Sequence, residues 1–251
     1  MYIVEIVIFF FLIGIIIGSF LNVCIYRLPK NENIVFPPSH CPSCQNRLRP
    51  KDLIPVMSFL LLKGKCRYCG EKIHWRYPVI EMINGLGWSV IILNYGVTIQ
   101  GFVGIILFSL SLVIASIDLE HYIIPDSLVL VLILSGIIYH IVSRNLSLIN
   151  ILLGTVIGFT IPFVLALISR GGMGGGDIKL CTAIGMWLGL PGVFLALFLS
   201  SFVGSIVGIT LIVTKIRQRK EPIPFGPFLV LGFFVTFFFQ KEILTLYWSL
   251  F

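Results

Sequence analysis

The chain has 251 residues, 57% of them hydrophobic and only 12% charged, with a mean hydropathy of +1.03 and a formal net charge of +7. That composition excludes an ordinary soluble domain and leaves an integral membrane protein. At about 20 apolar residues per crossing, the length accommodates roughly eight spanning helices and little besides.

In chain order, the first apolar run, Ile3 to Ile25, carries Glu5 at its front and has Arg27 and Lys30 behind it. A cleavable signal peptide carries its positive charge in front, so residues 1–26 read as a retained first transmembrane helix with the N-terminus outside. Further spans are expected near residues 79–94, 101–117, 127–142, 149–168, 178–190, 192–214 and 226–240, with boundaries set by charges, Pro and Gly. The expected fold is an all-α polytopic membrane protein of about eight transmembrane helices. A small cytoplasmic zinc-binding loop domain occupies residues 27–78, and a helical bundle occupies residues 79–251.

In this topology the cytoplasmic segments are 27–78, 118–126, 169–177 and 215–225. With the residues just inside the adjoining spans they hold 16 of the 18 Lys and Arg, the exceptions being Arg144 and Lys241. The asymmetry satisfies the positive-inside rule, and the reverse orientation violates it. The basic excess therefore reports topology, and the partner it implies is the lipid bilayer. It gives no sign of nucleic-acid binding, because the basic residues border membrane spans and form no soluble basic helix or stacking platform.

Within residues 27–78, Cys41, Cys44, Cys66 and Cys69 are spaced C-x2-C-x21-C-x2-C. Paired C-x-x-C knuckles are the pattern of tetrahedral thiolate ligation of zinc. Arg47, Arg49, Lys65 and Arg67 offset the charge of four thiolates. The competing readings are two disulfides or free thiols, and a cytoplasmic location weighs against disulfides. Four thiolates close the coordination shell, so the zinc is expected to be structural. His40 and His74 lie nearby but are not needed as ligands, and Cys24 and Cys181 sit in apolar context as packed thiols.

Acidic residues are scarce. Asp118 follows the apolar run Leu112 to Ile117, and Asp177 follows Gly171 to Gly176, each at the cytoplasmic end of a span. Carboxylates near membrane depth are costly and mark functional sites. Two that meet in a partly dry site share a proton, so that one activates water while the other polarises a peptide carbonyl. Taken singly, each has a plainer reading: Asp177 as a helix cap before Ile178, Asp118 as a solvated charge at a helix end, and Asp126, after Pro125, as a helix start. Five glycines in the six residues 171–176 favour the catalytic reading for Asp177, because they let another backbone approach closely. The run lacks the Lys-Ser/Thr ending of a phosphate-binding loop.

Taken together, these blocks resemble the type IV prepilin peptidase family of membrane aspartic proteases. The resemblance runs through Gly18-Ser19-Phe20-Leu21-Asn22-Val23, Arg27-Leu28-Pro29, Cys41-Pro42-Ser43-Cys44 and Gly64-Lys65-Cys66-Arg67-Tyr68-Cys69-Gly70. It continues in Arg76-Tyr77-Pro78 with Glu81, Asp118 with Ile124-Pro125-Asp126, and Gly174-Gly175-Gly176-Asp177-Ile178-Lys179-Leu180. It implies a bacterial inner-membrane enzyme that cleaves the basic leader of prepilins and pilin-like proteins after a glycine at the cytoplasmic face. Asp118 and Asp177 match the catalytic pair, and Asp126 matches an accompanying acid. It also implies N-methylation of the new N-terminal residue with S-adenosylmethionine, for which Gly64 and Glu81 are the candidate cofactor-binding residues. The residues themselves give that second activity no glycine fingerprint. Glu81 has the alternative of pairing with Arg76 or Arg27.

Two other classes compete. A transporter would place carboxylates at mid-span or carry inverted repeats, and neither is visible. A scaffold whose zinc loop recruits a soluble partner would use the aspartates only as caps.

Overall fold

The computed structural model describes residues 2–143, 146–170, 172–218 and 221–249. Arg144 and Gly171, both named above, lie outside them. Among the described residues the regular structure is helical, with two isolated β-bridges and no extended strand. Helices α1 (Tyr2–Arg27), α2 (Met57–Leu61), α3 (Arg76–Tyr95), α4 (Ile99–His121), α5 (Asp126–Ser143), α6 (Leu148–Ile168), α7 (Gly175–Val213) and α8 (Gly226–Trp248) follow in order. Six of them, α1 and α4 to α8, are long and apolar enough to cross a membrane. The protein is a membrane protein, and the large apolar side chains left exposed along α1, α6 and α7 are what a lipid-facing surface requires.

The chain forms two compact units, Met1–Val113 and Ile114–Phe251. In the first, α1 packs against α3 through small residues. A Cβ on Gly14 would lie 2.8 Å from the Gly85 Cα, and one on Gly18 would lie 2.7 Å from the Glu81 Cα. Glycine at these positions lets the two backbones approach, which is how helices associate where no hydrophobic driving force separates lipid from protein. The contact is completed by a closed polar chain. Trp88 Nε1 donates to Ser109 Oγ (3.0 Å), Ser109 donates to Asn84 Oδ1 (2.9 Å), and Asn84 Nδ2 donates to the Gly14 carbonyl (2.7 Å). Every link is buried and partnered, so the network fixes register instead of costing stability.

In the second unit α7 is the central element, packing against α5, α6 and α8. The first part of α7 meets α6 through Gly154 and Gly158, on which a Cβ would run into the backbone of Gly185, Gly189 and Cys181. The later part meets α8 where Gly232 lies on Ala196 and Ser200. Between the two parts the helix breaks at Gly189 (φ 69°, ψ −172°), two residues before Pro191. Proline cannot continue the hydrogen-bond ladder, and the positive φ suits glycine. The amide freed at Leu190 is taken by Asn150 Oδ1 of α6 at 2.8 Å, so the break leaves this donor satisfied. Across the packed face, Trp187 Nε1 donates to the Leu132 carbonyl at 2.8 Å and its ring stacks on Tyr139.

Candidate active site and metal centre

Asp118 ends α4 and is buried, with 5% of its surface exposed. Its Oδ2 accepts the backbone amide of Gly226, the first residue of α8, at 2.8 Å. A Cβ on Gly226 would lie 2.7 Å from the same oxygen, so only glycine lets the amide reach the carboxylate. The amide is one of those left without an intrahelical partner at a helix start, and the positive end of the helix dipole faces the carboxylate. Sequence reasoning missed Gly226. The signal was the Pro222-Ile223-Pro224-Phe225-Gly226-Pro227 run, whose prolines end one segment and start the next helix.

Asp177 lies in the first turn of α7, which starts at Gly175 with Gly174 as its cap. Its Oδ2 lies close against Gly174, 3.2 Å from where a Cβ on that residue would stand, so the carboxylate sits at the helix start from inside the first turn. The glycine run does admit a neighbouring backbone. A Cβ on Gly176 would lie 3.0 Å from the Ile124 Cβ, so the α4–α5 connection passes directly over the start of α7. Asp118 and Asp177 are brought within electrostatic reach of each other.

Asp126 starts α5, as its place after Pro125 predicts. Its carboxylate takes the Lys179 ammonium through both oxygens, at 2.7 and 2.8 Å. Both side chains are largely exposed, so the pair ties the start of α5 to the first turn of α7 at a contribution of about 0 to 1 kcal/mol. The three aspartates are thus sorted by surroundings: Asp118 accepts a backbone amide, Asp177 lies against Gly174 at the start of α7, and Asp126 is engaged by a cation.

In the first unit each C-x-x-C forms a small hairpin, closed by a β-bridge between His40 and Arg47 in one and Lys65 and Lys72 in the other. The two repeat each other atom for atom. Cys41 N–H bonds the Asn46 carbonyl and Cys66 N–H the Glu71 carbonyl. The residue after the second cysteine, Gln45 or Gly70, has positive φ and bonds back to the first. The four sulfurs lie within 4.8 Å of one another, with Cys41 and Cys69 3.9 Å apart, and all the cysteines are free. Sulfurs on a tetrahedral zinc at ~2.3 Å stand about 3.8 Å apart, so the cluster fits this metal and is too open for disulfides of ~2.05 Å. His40 and His74 are not part of the cluster; each uses Nδ1 on local backbone. Arg67 is drawn away from the sulfurs to Asp52 (2.6 Å), which also accepts the Arg49 amide and the Tyr68 hydroxyl. Burial raises the Asp52 carboxyl, but these three donors outweigh it and hold the group below its ordinary value.

Glu81 is buried on α3. Its Oε2 accepts the Val56 amide at 2.7 Å. Gly64 closes α2 at positive φ, where a Cβ would lie 3.1 Å from the Phe59 ring. A turn glycine and an engaged carboxylate do not outline a pocket for S-adenosylmethionine.

Residues 12–95 match the bacterial peptidase A24 N-terminal domain, and residues 105–209 match the type IV leader peptidase family. Curated relatives include the prepilin leader peptidase/N-methyltransferase of Bacillus subtilis, 32% identical over 94% of this chain and 96% of that protein. Those of Xanthomonas campestris (33%, covering 92% and 90%) and Pseudomonas aeruginosa (32%, covering 94% and 91%) carry the same name. No solved structure is significantly similar to the chain.

Proposed function

Because the chain belongs to the type IV leader peptidase family, we propose that it is a membrane aspartic endopeptidase that cleaves the basic leader of prepilins and pilin-like proteins after a glycine, with Asp118 and Asp177 as the catalytic pair. One observation carries the reading: two scarce acids from different helices, 59 positions apart in the sequence, lie within electrostatic reach of each other, one of them buried on a helix N-terminus. One carboxylate, as the anion, takes a proton from water while the other, protonated, hydrogen-bonds the scissile carbonyl. The water oxygen then adds to the carbon, and the leaving amine collects the proton. Gly175, with nothing within 4 Å of where its Cβ would stand, leaves room beside Asp177 for an extended substrate backbone.

The proposed topology has eight crossings: the six apolar helices, with α7 counted twice about its break at Gly189, and α3, whose small-residue contact with α1 compensates its lower hydropathy. With the N-terminus outside, Arg27, the zinc loop, Asp118, Asp177 and Gly226 fall on the cytoplasmic side of a bacterial inner membrane. A prepilin then lies with its hydrophobic helix in the bilayer and its basic leader in the cytoplasm, which brings the scissile bond to the aspartates. Zinc on Cys41, Cys44, Cys66 and Cys69 is structural, cross-linking two hairpins that have little core of their own.

N-methylation of the new N-terminal residue with S-adenosylmethionine is proposed on the names of the relatives, with Gly64 and Glu81 as the residues to probe it. The test is to co-express a prepilin-like substrate with the wild type and with Asp118→Asn or Asp177→Asn, and to weigh the mature N-terminus. Cleavage after the leader glycine by the wild type alone supports the pair, and an added methyl mass supports the second activity. Cleavage by both variants removes the aspartic mechanism.

A further inference from the structure

The run Leu53-Ile54-Pro55-Val56-Met57-Ser58-Phe59-Leu60-Leu61-Leu62 lies between the two cysteine knuckles, inside the segment that charge alone assigns to the cytoplasm. Five of its apolar side chains, Leu53, Ile54, Met57, Leu60 and Leu61, are exposed, up to 74% at Leu61, while Pro55, Val56, Phe59 and Leu62 between them are half-buried. Exposed apolar side chains clustered in this way mark a docking face.

Its depth follows from the tether at its middle. The Val56 amide bonds Glu81, whose Cα lies against Gly18 of α1. Gly18 is nine residues back from Arg27, which at 1.5 Å per residue is about 13 Å along α1. Residues 6–26 of α1, bracketed by Glu5 and Arg27, measure about 31 Å, the thickness of a hydrocarbon core. The Val56 backbone is therefore tied well inside the apolar part of α1.

Backbone at that level must find partners within the protein, and several of its amides do. Met57 N–H bonds the Pro55 carbonyl in a γ-turn of the rare hand, with Val56 at φ 62° and ψ −51°. Ser58, Leu60 and Leu62 bond the carbonyls of Ile54, Val56 and Ser58, and Gly64 bonds that of Phe59. A β-branched residue persists at such a φ only where its surroundings hold it, and the Glu81 carboxylate supplies the hold.

We infer that residues 53–62 are a re-entrant segment that inserts into the bilayer beside α1 and α3, with lipid acyl chains as its occupant and Glu81 as its anchor. Large apolar side chains are exposed on the segment as they are on α1, and Lys51 before it and Lys63 and Lys65 after it flank it as basic residues at headgroup level do. The insertion seats the zinc hairpins on the membrane surface. The inference rests on α1 crossing the bilayer and is independent of the catalytic pair.

The test uses the full chain in phosphatidylethanolamine–phosphatidylglycerol vesicles doped with a lipid carrying a photoactivatable diazirine in its acyl chain, with labelled peptides mapped by mass spectrometry. Exposed α1 residues such as Phe9, Leu12 and Ile16 are the internal reference. Residues 53–62 are expected to be labelled comparably to α1 and the Cys41–Asn46 hairpin not at all. Glu81→Ala is expected to lower labelling of the segment several-fold. Glu81→Gln, whose amide oxygen still accepts the Val56 N–H, retains it. A labelled α1 beside an unlabelled segment overturns the inference, as does labelling that a bound prepilin-like substrate abolishes, which would make the substrate the occupant. Undiminished labelling in Glu81→Ala overturns the anchor.

Discussion

Gly226 gives its amide to Asp118 Oδ2 at 2.8 Å, and any side chain on Gly226 would begin 2.7 Å from that oxygen. The start of α8 thus positions a carboxylate at the end of α4, 108 residues away in the sequence, and does so by the absence of a side chain.

Gly226→Ala is expected to push the Asp118 carboxyl off its amide and lower prepilin cleavage roughly 100-fold, the scale of a 1 Å misplacement of a reacting group. The residue's φ is not in the left-handed region, so the loss comes from crowding and not from backbone strain. Cleavage rates in vesicles, read beside the thermal unfolding midpoint, separate a misplaced carboxylate from a misfolded chain; an unaltered rate removes the positioning role.

The three aspartates should part company on neutralisation. Asp118→Asn and Asp177→Asn are each expected to abolish cleavage, whereas Asp126→Asn, which loses only an exposed ion pair with Lys179, should stay within several-fold of wild type. Single-turnover cleavage of one substrate by the three purified variants ranks them, and equal loss in all three would mean that Asp126 belongs to the machinery.

Metal analysis of the purified chain should find one zinc per chain, lost on Cys41→Ser or Cys66→Ser, the two buried ligands. Removing the ion takes away the cross-link between the hairpins, so proteolysis within residues 40–72 should speed up while the membrane helices stay protected. Full protection of the loop without metal contradicts a structural zinc.

Asp52 fixes the sign of one pH dependence. Its carboxyl is held below the ordinary value, so the stability it lends is complete above the unfolded value of about 3.9 and is lost as pH falls through the lower folded value. The added protease sensitivity caused by Asp52→Asn should therefore be the same at pH 8 and pH 6. A cost that shrinks over that interval assigns the effect to another group.

Gly14→Leu inserts a side chain where even a Cβ would be 2.8 Å from the Gly85 backbone. Separating α1 from α3 also strains the Asn84 to Gly14 hydrogen bond, and overpacking of this kind costs about 1 to 3 kcal/mol. Thermal unfolding in detergent reads the loss; an unchanged midpoint would show that the helices have slack at this contact.

The sequence by itself determined the class of the protein, the position of most of its helices, the sites of the four cysteines and the two aspartates worth watching. Each of these is written locally: hydropathy over a window, a C-x-x-C spacing, a carboxylate at the edge of an apolar run. Even the break in the longest helix was legible, because Gly189 and Pro191 act on their own backbone. Other features depended on distant partners. The helix at 79–94 was legible, but its close approach to α1, Gly85 on Gly14 and Glu81 on Gly18, was not. Asp126 read as a helix start, and it is one, but the Lys179 ammonium held against it comes from another helix. Glu81 read as a candidate cofactor-binding residue, with an ion pair as the alternative, and no local pattern announced the Val56 amide on its oxygen; the apolar run at 53–62 was hidden by the basic loop around it. Gly226 carried no chemistry to notice, since its contribution is an amide and an empty space. Spacing and hydropathy report what a segment does to itself. Which backbone amide reaches which carboxylate is decided only when helices far apart in sequence pack closely enough for a missing methyl group to matter.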